Sequence, residues 1–189
     1  MQRRSFLRAV SSVIPAAGLQ DLLSSPAQAQ ITVSPVKPEL HVVGADEDRY
    51  GQYHTMGISH LIFKVSGSET GGGMFVVEHL HLTPGGPSLH LHLNQEEWFY
   101  VMEGSVIFQV GEQQLTLKAG ESVLAPRRVP HTFSSVAEGE SRMMIAFCPA
   151  GKMEQYFRDA ADPKSPRAEA EYLRKYDMEL VGPSPFWKT

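Results

Sequence analysis

The feature that most constrains the fold is an almost unbroken run of short strand-like segments between Ile58 and Cys148. The segments are rich in valine, isoleucine and phenylalanine, and turns such as TPGG, KAGE and APRRVP separate them. No helical hydrophobic period interrupts the run, so the pattern predicts an all-β fold, a small antiparallel sandwich or barrel. The candidate strands are ISHLIFKV, MFVVEHLHL, LHLHL, EWFYVME, SVIFQV, QQLTLK, SVLA, HTFSSV and RMMIAFC.

The C-terminal residues 149–189 have a different pattern. Four apolar residues follow a helical spacing: Met153, Tyr156, Phe157 and Ala160. Ser165 and Pro166 are typical of a helix start, with serine as the N-cap and proline at the first helical position. This second helix would carry an apolar side made of Tyr172, Leu173 and Tyr176. We expect both helices to pack on the outside of the barrel, and the tail VGPSPFWKT to be irregular.

The first 29 residues are typical of an export signal. Arg3 and Arg4 precede a weakly apolar stretch, and Ala27 and Ala29 match a cleavage site that would leave Gln30 as the first residue. The motif RRSFLR resembles the bacterial twin-arginine signal, and the alternative is a disordered or amphipathic helical tail. The apolar stretch is too short and too interrupted to span a membrane. The sequence predicts a periplasmic protein without a membrane anchor after cleavage, with residues 30–57 as an N-terminal extension that contains one strand candidate, Leu40–Val43.

Composition narrows the possible partners. The chain has 189 residues, of which 42% are hydrophobic and 20% charged, and these values are normal for a globular protein. The net charge of −4 and the lack of a basic stripe give no reason to expect a nucleic-acid partner. The single cysteine, Cys148, has no partner for an internal disulfide and is expected to be a buried strand residue. A small-molecule ligand is the partner that we expect.

The stretch HLHLNQEEWFYVMEG, residues 90–104, contains most of a predicted metal site. His90 and His92 share one face of a strand, because successive side chains of a strand alternate between its two faces. Glu97 opens the next strand. Glu103 and Gly104 form a predicted hairpin turn at the end of that strand, and such a hairpin would bring Glu97 beside the histidines. Downstream, His131 opens another strand after a proline-rich turn. Three imidazoles and one carboxylate suit a divalent transition metal ion, whether iron, manganese, nickel, copper or zinc.

These residues resemble the two sequence motifs of the cupin superfamily, in order, over about residues 58–148. His90, His92, Glu97 and Gly104 match the first motif, and its upstream glycine is one place off, at Gly85. The second motif matches at three positions, Gly120, Pro126 and His131, with Arg128 in place of a glycine and Ser135 in place of an asparagine. The resemblance implies a jelly-roll barrel that holds one metal ion through His90, His92, Glu97 and His131.

The resemblance to quercetinase-like single-domain cupins suggests a dioxygenase acting on a small enolic or phenolic metabolite. Glu97 would then be catalytic, both as a ligand and as a proton acceptor, and Phe99, Val101 and Phe133 would line an apolar pocket. A metal-dependent isomerase or lyase, and a non-catalytic protein that binds a small molecule such as a sugar, stay open. Because twin-arginine export carries folded proteins, iron or manganese inserted in the cytoplasm is the favoured cofactor.

Residues outside the predicted metal site suggest an oligomeric state and other possible polar sites. Small cupins commonly pair, which predicts a homodimer through the face of Trp98, Tyr100 and Met102, unless the C-terminal helices cover that face. His79 and His81 would share a strand face, where a second metal site is less favoured than a solvent-facing or pocket-lining position. Arg127 and Arg128 could hold an anionic substrate at the barrel mouth, but a solvated turn is favoured. Tyr53, His54 and His60 could supply an acid or base near the metal, but their spacing does not support this role and they stay unassigned.

Overall fold

The computed structural model of the protein describes residues 40–187, which fold into antiparallel strands and two short α-helices. The strands in chain order are β1 (His54–Thr55), β2 (His60–Val65), β3 (Phe75–Leu82), β4 (Leu89–His92), β5 (Glu96–Glu103), β6 (Ser105–Val110), β7 (Gln113–Lys118), β8 (Ser122–Ala125), β9 (His131–Ser135), β10 (Ser141–Cys148) and β11 (Met178–Gly182). The helices are α1 (Met153–Ala160) and α2 (Ala170–Arg174), and a short 3-10 helix spans Gly67–Thr70. No helix in this range is long and apolar enough to cross a bilayer.

Two sheets make the jelly-roll barrel that the sequence predicts. The first sheet has the strand order β1-β2-β3-β10-β5-β8, and the second has the order β11-β4-β9-β6-β7. All nine candidate strands between residues 58 and 148 are present. The candidate at Leu40–Val43 is wrong, because that segment pairs with no strand. The predicted signal peptide and residues 30–39 lie outside the described residues.

The core lies between the two sheets and follows the expected alternation of side chains. In β5, Glu97, Phe99 and Val101 are buried and point inward, whereas Trp98 points outward. Phe99 packs on Phe108 of β6, with ring centroids 5.1 Å apart, and so joins the first sheet to the second. Cys148 is exposed at the end of β10, and its expected burial is therefore wrong.

The C-terminal extension packs on the barrel at its open end. Helix α1 forms where the sequence predicts it and buries Met153, Tyr156, Phe157 and Ala160. Phe157 lies between two inward-facing rings of the first sheet, 6.0 Å from Phe75 and 5.8 Å from Phe147 between centroids. The helix therefore closes the space between the sheets and leaves the outer face of the first sheet uncovered at Trp98, which is 36% exposed and stacks on Tyr100.

Two local predictions for this extension are wrong. Helix α2 begins at Ala170 rather than at Pro166, and Ser165 does not cap it, because residues 161–169 form turns that lead across the barrel opening. The chain then adds strand β11 to the edge of the second sheet, where Met178 pairs with His92 of β4. The sequence analysis did not predict this strand, whose partner lies about ninety residues earlier in the chain.

Replacing Phe157 with alanine is expected to lower the free energy of unfolding by about 3–5 kcal/mol, because it empties an aromatic site in the closed end of the core. Chemical denaturation followed by far-UV circular dichroism measures the change. Gln155, exposed on the same helix, supplies the control: Gln155→Ala is expected to stay within about 0.5 kcal/mol of the parent protein. Equal losses in the two variants would mean that α1 does not close the barrel.

Candidate metal centre

The four predicted ligands come from both sheets. His90 and His92 lie on β4 and His131 on β9, and His90 pairs directly with His131 across these neighbouring strands of the second sheet. Glu97 lies on β5 of the first sheet. The predicted hairpin after β5 is therefore wrong, because β5 and β6 belong to different sheets. Glu97 reaches the histidines across the gap between the sheets.

The ligand atoms of these residues converge on one point. One nitrogen from each histidine and one carboxylate oxygen of Glu97 all lie within 4.8 Å of one another. Oε2 of Glu97 is 2.7 Å from Nε2 of His131 and 3.0 Å from Nε2 of His92. His92, Glu97 and His131 are buried, while His90 is partly exposed on the wall of a cavity. The arrangement is a compact cluster that could hold a single ion.

Backbone carbonyls orient two of the rings toward this point. Nδ1 of His90 donates to the carbonyl oxygen of Ser88 and Nδ1 of His131 to that of Val129, each at 2.9 Å. Because a carbonyl only accepts, both Nδ1 atoms carry the proton, and the Nε2 atoms are directed to the centre. Among residues 40–187, neither nitrogen of His92 has a hydrogen-bond partner of good geometry, although both are buried. The donor set and this unpartnered ring fit a divalent transition metal ion.

The electrostatics of the cluster favour an anionic Glu97. Burial alone would raise the pKa of the Glu97 carboxyl, but His131 and His92 hold that pKa well below its usual range. Burial would lower the pKa of His131, yet the adjacent carboxylate raises it, which favours a proton shared between the two side chains. Burial and the other two rings lower the pKa of His90 to about 3, so this ring is neutral. A bound ion would replace the shared proton, so metal binding releases a proton.

Two turns beside the cluster require an unusual backbone conformation, and one of them contains a departure from the cupin motifs. At Gly86, with φ of +130°, a Cβ atom would come 1.8 Å from the carbonyl oxygen of Phe133, so only glycine fits. Arg128 adopts the left-handed conformation, with φ of +63°, that suits the glycine of the second motif. Its backbone N–H donates to the carbonyl oxygen of His92 at 2.7 Å and ties this turn to the ligand strand. The departure at Arg128 therefore preserves the turn.

A cavity of about 210 Å³ lies beside the cluster, and His90 and Glu97 form part of its wall. Its walls are largely apolar and come from the barrel, α1, α2, β11 and the segment 56–58; they include Ile145, Phe147, Met153, Phe157, Leu173 and Met178. Of the predicted pocket residues, Phe133 lines this cavity. Phe99 and Val101 are instead buried deeper in the core, because each step of two residues along β5 carries the side chain farther from Glu97 and the opening.

His79 and His81 do not share a face, because the strand bulges at His81, whose φ is +53°. His81 lies outside, exposed and next to Glu140, whereas His79 points into the cavity and is 4% exposed. Nδ1 of His79 lies 2.8 Å from the Ser59 hydroxyl, and Nε2 has no partner. Burial lowers the pKa of His79 to about 4 against the opposing effect of the Glu97 charge, so the ring is neutral near pH 7.

The remaining candidates lie away from the cluster. Arg127 pairs with Glu96 on the surface, and the side chain of Arg128 is exposed. The ring of His54 stacks on Phe63, with centroids 4.8 Å apart. The sequence did not indicate that three residues of the C-terminal extension, Tyr156, Arg167 and Trp187, line the cavity, although Tyr156 lies on the predicted apolar face of α1. Only contacts made by the folded chain bring these residues to the barrel.

Comparison with known proteins supports the fold. Residues 78–147, which include all four ligands, match the family described as cupin domain. No curated protein matches the chain. An RmlC-like cupin from Shewanella frigidimarina is 17% identical, with a TM-score of 0.50 over 61% of this chain and 96% of that one. The nucleoside dehydratase Pac13 is 12% identical, with a TM-score of 0.50 over 77% of this chain and 93% of that one. At these identities the two structures share the fold alone.

His92→Ala and Glu97→Ala are each expected to abolish stoichiometric metal binding, because each removes a ligand whose neighbours cannot replace it. Metal content after reconstitution with Mn²⁺ or Fe²⁺, measured by elemental analysis, tests this. His81→Ala serves as the control, since His81 is exposed on the outside of the barrel and should leave binding intact. Full metal occupancy in both ligand variants would refute the assignment.

Proposed function

Because the chain belongs to the cupin superfamily, with its cupin domain at residues 78–147, we propose that it is a metal-dependent dioxygenase for a small enolic or phenolic metabolite. The observation that carries the proposal is the convergence of three histidines and one glutamate at the edge of an apolar cavity. A metal centre beside a largely apolar cavity suits the reaction of an electron-rich substrate with O2. Such a cavity also has room for a substrate beside the ligands.

The bound ion would supply Lewis acidity and redox capacity to the substrate and O2. We propose iron or manganese ahead of nickel, copper or zinc, because export of a folded protein favours a metal acquired in the cytoplasm. His90, His92 and His131 would hold the ion as neutral imidazoles, and Glu97 would offset part of its charge. The carbonyls of Ser88 and Val129 keep two of these rings in the required tautomer.

Glu97 has a second role in this proposal, as the proton acceptor. Its Oε2 atom faces His92 and His131, whereas Oε1 makes no hydrogen bond among the described residues. Since Glu97 lines the cavity, Oε1 is available as a base for the hydroxyl proton of an enol or phenol. Loss of that proton makes the substrate electron-rich and therefore more reactive toward O2.

The size of the cavity limits the substrate. Its volume of about 210 Å³ lies below the roughly 300–1,000 Å³ of pockets for drug-sized molecules. A single aromatic ring or a short diketone is therefore a better candidate than a flavonol. The apolar rings of Phe133, Phe147 and Phe157 suit the flat carbon skeleton of such a molecule.

His79 supports a second candidate, a metal-dependent isomerase or lyase. Its buried, neutral ring presents an unpartnered Nε2 atom to the same cavity, where it can give or take a proton next to a carbonyl substrate. Such a reaction would need no O2. A non-catalytic protein that binds a small sugar-like molecule is the third possibility, and it would use the same cavity without turnover.

The metal-loaded protein is expected to consume O2 with a catechol or a small β-diketone and to do so far more slowly with a flavonol. An oxygen electrode measures uptake, and Glu97→Gln should reduce the rate by roughly 100-fold or more, because the variant loses the carboxylate base and a candidate metal ligand. Elemental analysis of the same variant separates the loss of the base from the loss of the metal. If product forms without O2 and His79→Gln no longer forms it, the isomerase or lyase activity would be favoured over the dioxygenase activity. Binding without any product would leave the non-catalytic function.

We also propose that the mature protein is a periplasmic homodimer. The proposal rests on the twin-arginine motif and cleavage site of residues 1–30 and on the exposed surface formed by Trp98, Tyr100 and Leu124. Trp98 and Leu124 pair across β5 and β8, so this apolar surface is continuous. Such a surface suits self-association of two copies.

Protein isolated from a periplasmic fraction is expected to begin at Gln30, to contain iron or manganese, and to have the mass of a dimer. N-terminal sequencing, elemental analysis and light scattering of one sample measure the three properties. Trp98→Lys is the matched variant and should shift the mass to that of a monomer. An intact Met1, stoichiometric copper or zinc, or a monomeric parent protein would each contradict the corresponding part.

A further inference from the structure

We propose that Arg167 forms an anion subsite in this cavity, and that the ligand is a small carboxylic acid whose carboxylate pairs with this guanidinium. The inference rests on the proposed function and narrows its substrate class to molecules with two polar ends. One end, an enol or phenol, lies at the metal ligands. The other end carries the negative charge.

Arg167 is held at the cavity by the turns between α1 and α2. It is half-buried and lines the cavity. Nη1 donates to the carbonyl oxygen of Ala160 at 3.2 Å, at the end of α1. Nη2 lies beside Gly57, where a Cβ atom would be only 3.3 Å away, so the opposite wall of the cavity also limits the position of the guanidinium.

The guanidinium lacks the carboxylate partner that four of the other six arginines in residues 40–187 have. Arg49, Arg127, Arg142 and Arg158 each form an ion pair with a carboxylate. Within residues 40–187, no carboxylate lies within 4.0 Å of Arg167, and its only hydrogen bond uses one of five donors. A permanently charged, partly desolvated guanidinium with donors to spare favours a carboxylate that it can bind in a bidentate manner.

His79 is an independent sign that this cavity takes a polar ligand. Its Nε2 atom is buried and unpartnered, and it opens into the same cavity as Arg167. Buried polar atoms in folded proteins nearly always have a hydrogen-bond partner, and a bound ligand can supply the missing one. The rest of the wall is mainly apolar, so the ligand has a hydrocarbon centre with polar groups at defined places.

Charge balance leads to the same ligand class. A divalent ion on one carboxylate and three neutral imidazoles keeps one net positive charge, and Arg167 adds another. A ligand with an ionised enol or phenol and a carboxylate neutralises both charges within the cavity. A neutral ligand such as unmodified catechol would leave the guanidinium without its counter-charge in a largely apolar space.

The test uses two probes of nearly the same shape, 3,4-dihydroxybenzoate and 3,4-dihydroxybenzamide, which differ in the charge of one group. Calorimetric titration of the Mn²⁺-loaded protein without O2 measures their affinities. The parent protein is expected to prefer the acid by roughly tenfold or more. Arg167→Gln should lose this preference, and Arg167→Lys should keep part of it. The matched control, Arg174→Gln, changes an exposed arginine of α2 and should behave like the parent protein.

Equal affinities for acid and amide in the parent protein, or an unchanged preference in Arg167→Gln, would overturn the anion subsite and leave the metal centre intact. Failure of the proposed metal chemistry with an intact anion subsite can be detected with benzoate, which has no catechol group to chelate the metal. Arg167-dependent binding of benzoate and of 3,4-dihydroxybenzoate, with equal affinity for the metal-free and the Mn²⁺-loaded protein, would support the subsite and refute the proposed metal chemistry. Circular dichroism and metal content verify that each variant is folded and loaded.

Discussion

The site depends on one buried carboxylate, that of Glu97, placed between two facing sheets. A buried anion is costly unless it is paired, and Glu97 finds its partners in His92 and His131 on the opposite sheet. This contact joins the sheets at the point where the barrel opens. The same contact brings three imidazole nitrogens and a carboxylate oxygen together, so the interaction that neutralises the buried charge also builds the candidate metal centre.

The C-terminal extension determines what lies next to that centre. Without α1, the rings of Phe75 and Phe147 would face solvent at the open end of the barrel, and Phe157 covers both of them. The turns before α2 then bring Arg167 to the cavity, and β11 adds Met178. These residues lie outside the segment that matches the cupin family, so part of the cavity wall comes from elements that the family match does not cover.

Local sequence patterns predicted the structure where the chain follows regular geometry, and failed where a bulge or a tertiary contact overrides that geometry. The period of two placed His90 and His92 on one face of β4, and the motif spacing selected Glu97 and His131. The same period predicted that His81 shares a strand face with His79, which is wrong because a bulge in β3 shifts the alternation of side chains. Ser165 and Pro166 had the chemistry of a helix start, but the turns that carry Arg167 to the cavity occupy that segment instead.

The sequence by itself determined the strands of the barrel, the first C-terminal helix and the identity of the four candidate ligands. Those features follow from backbone geometry, which fixes the direction of side chains over a few residues. Tertiary structure alone decided that Glu97 reaches the histidines from the other sheet, that Phe99 and Val101 lie below the cavity, and that His79 and Arg167 face it. Such contacts join residues far apart in the chain, and only the packing of complete elements against one another brings them together.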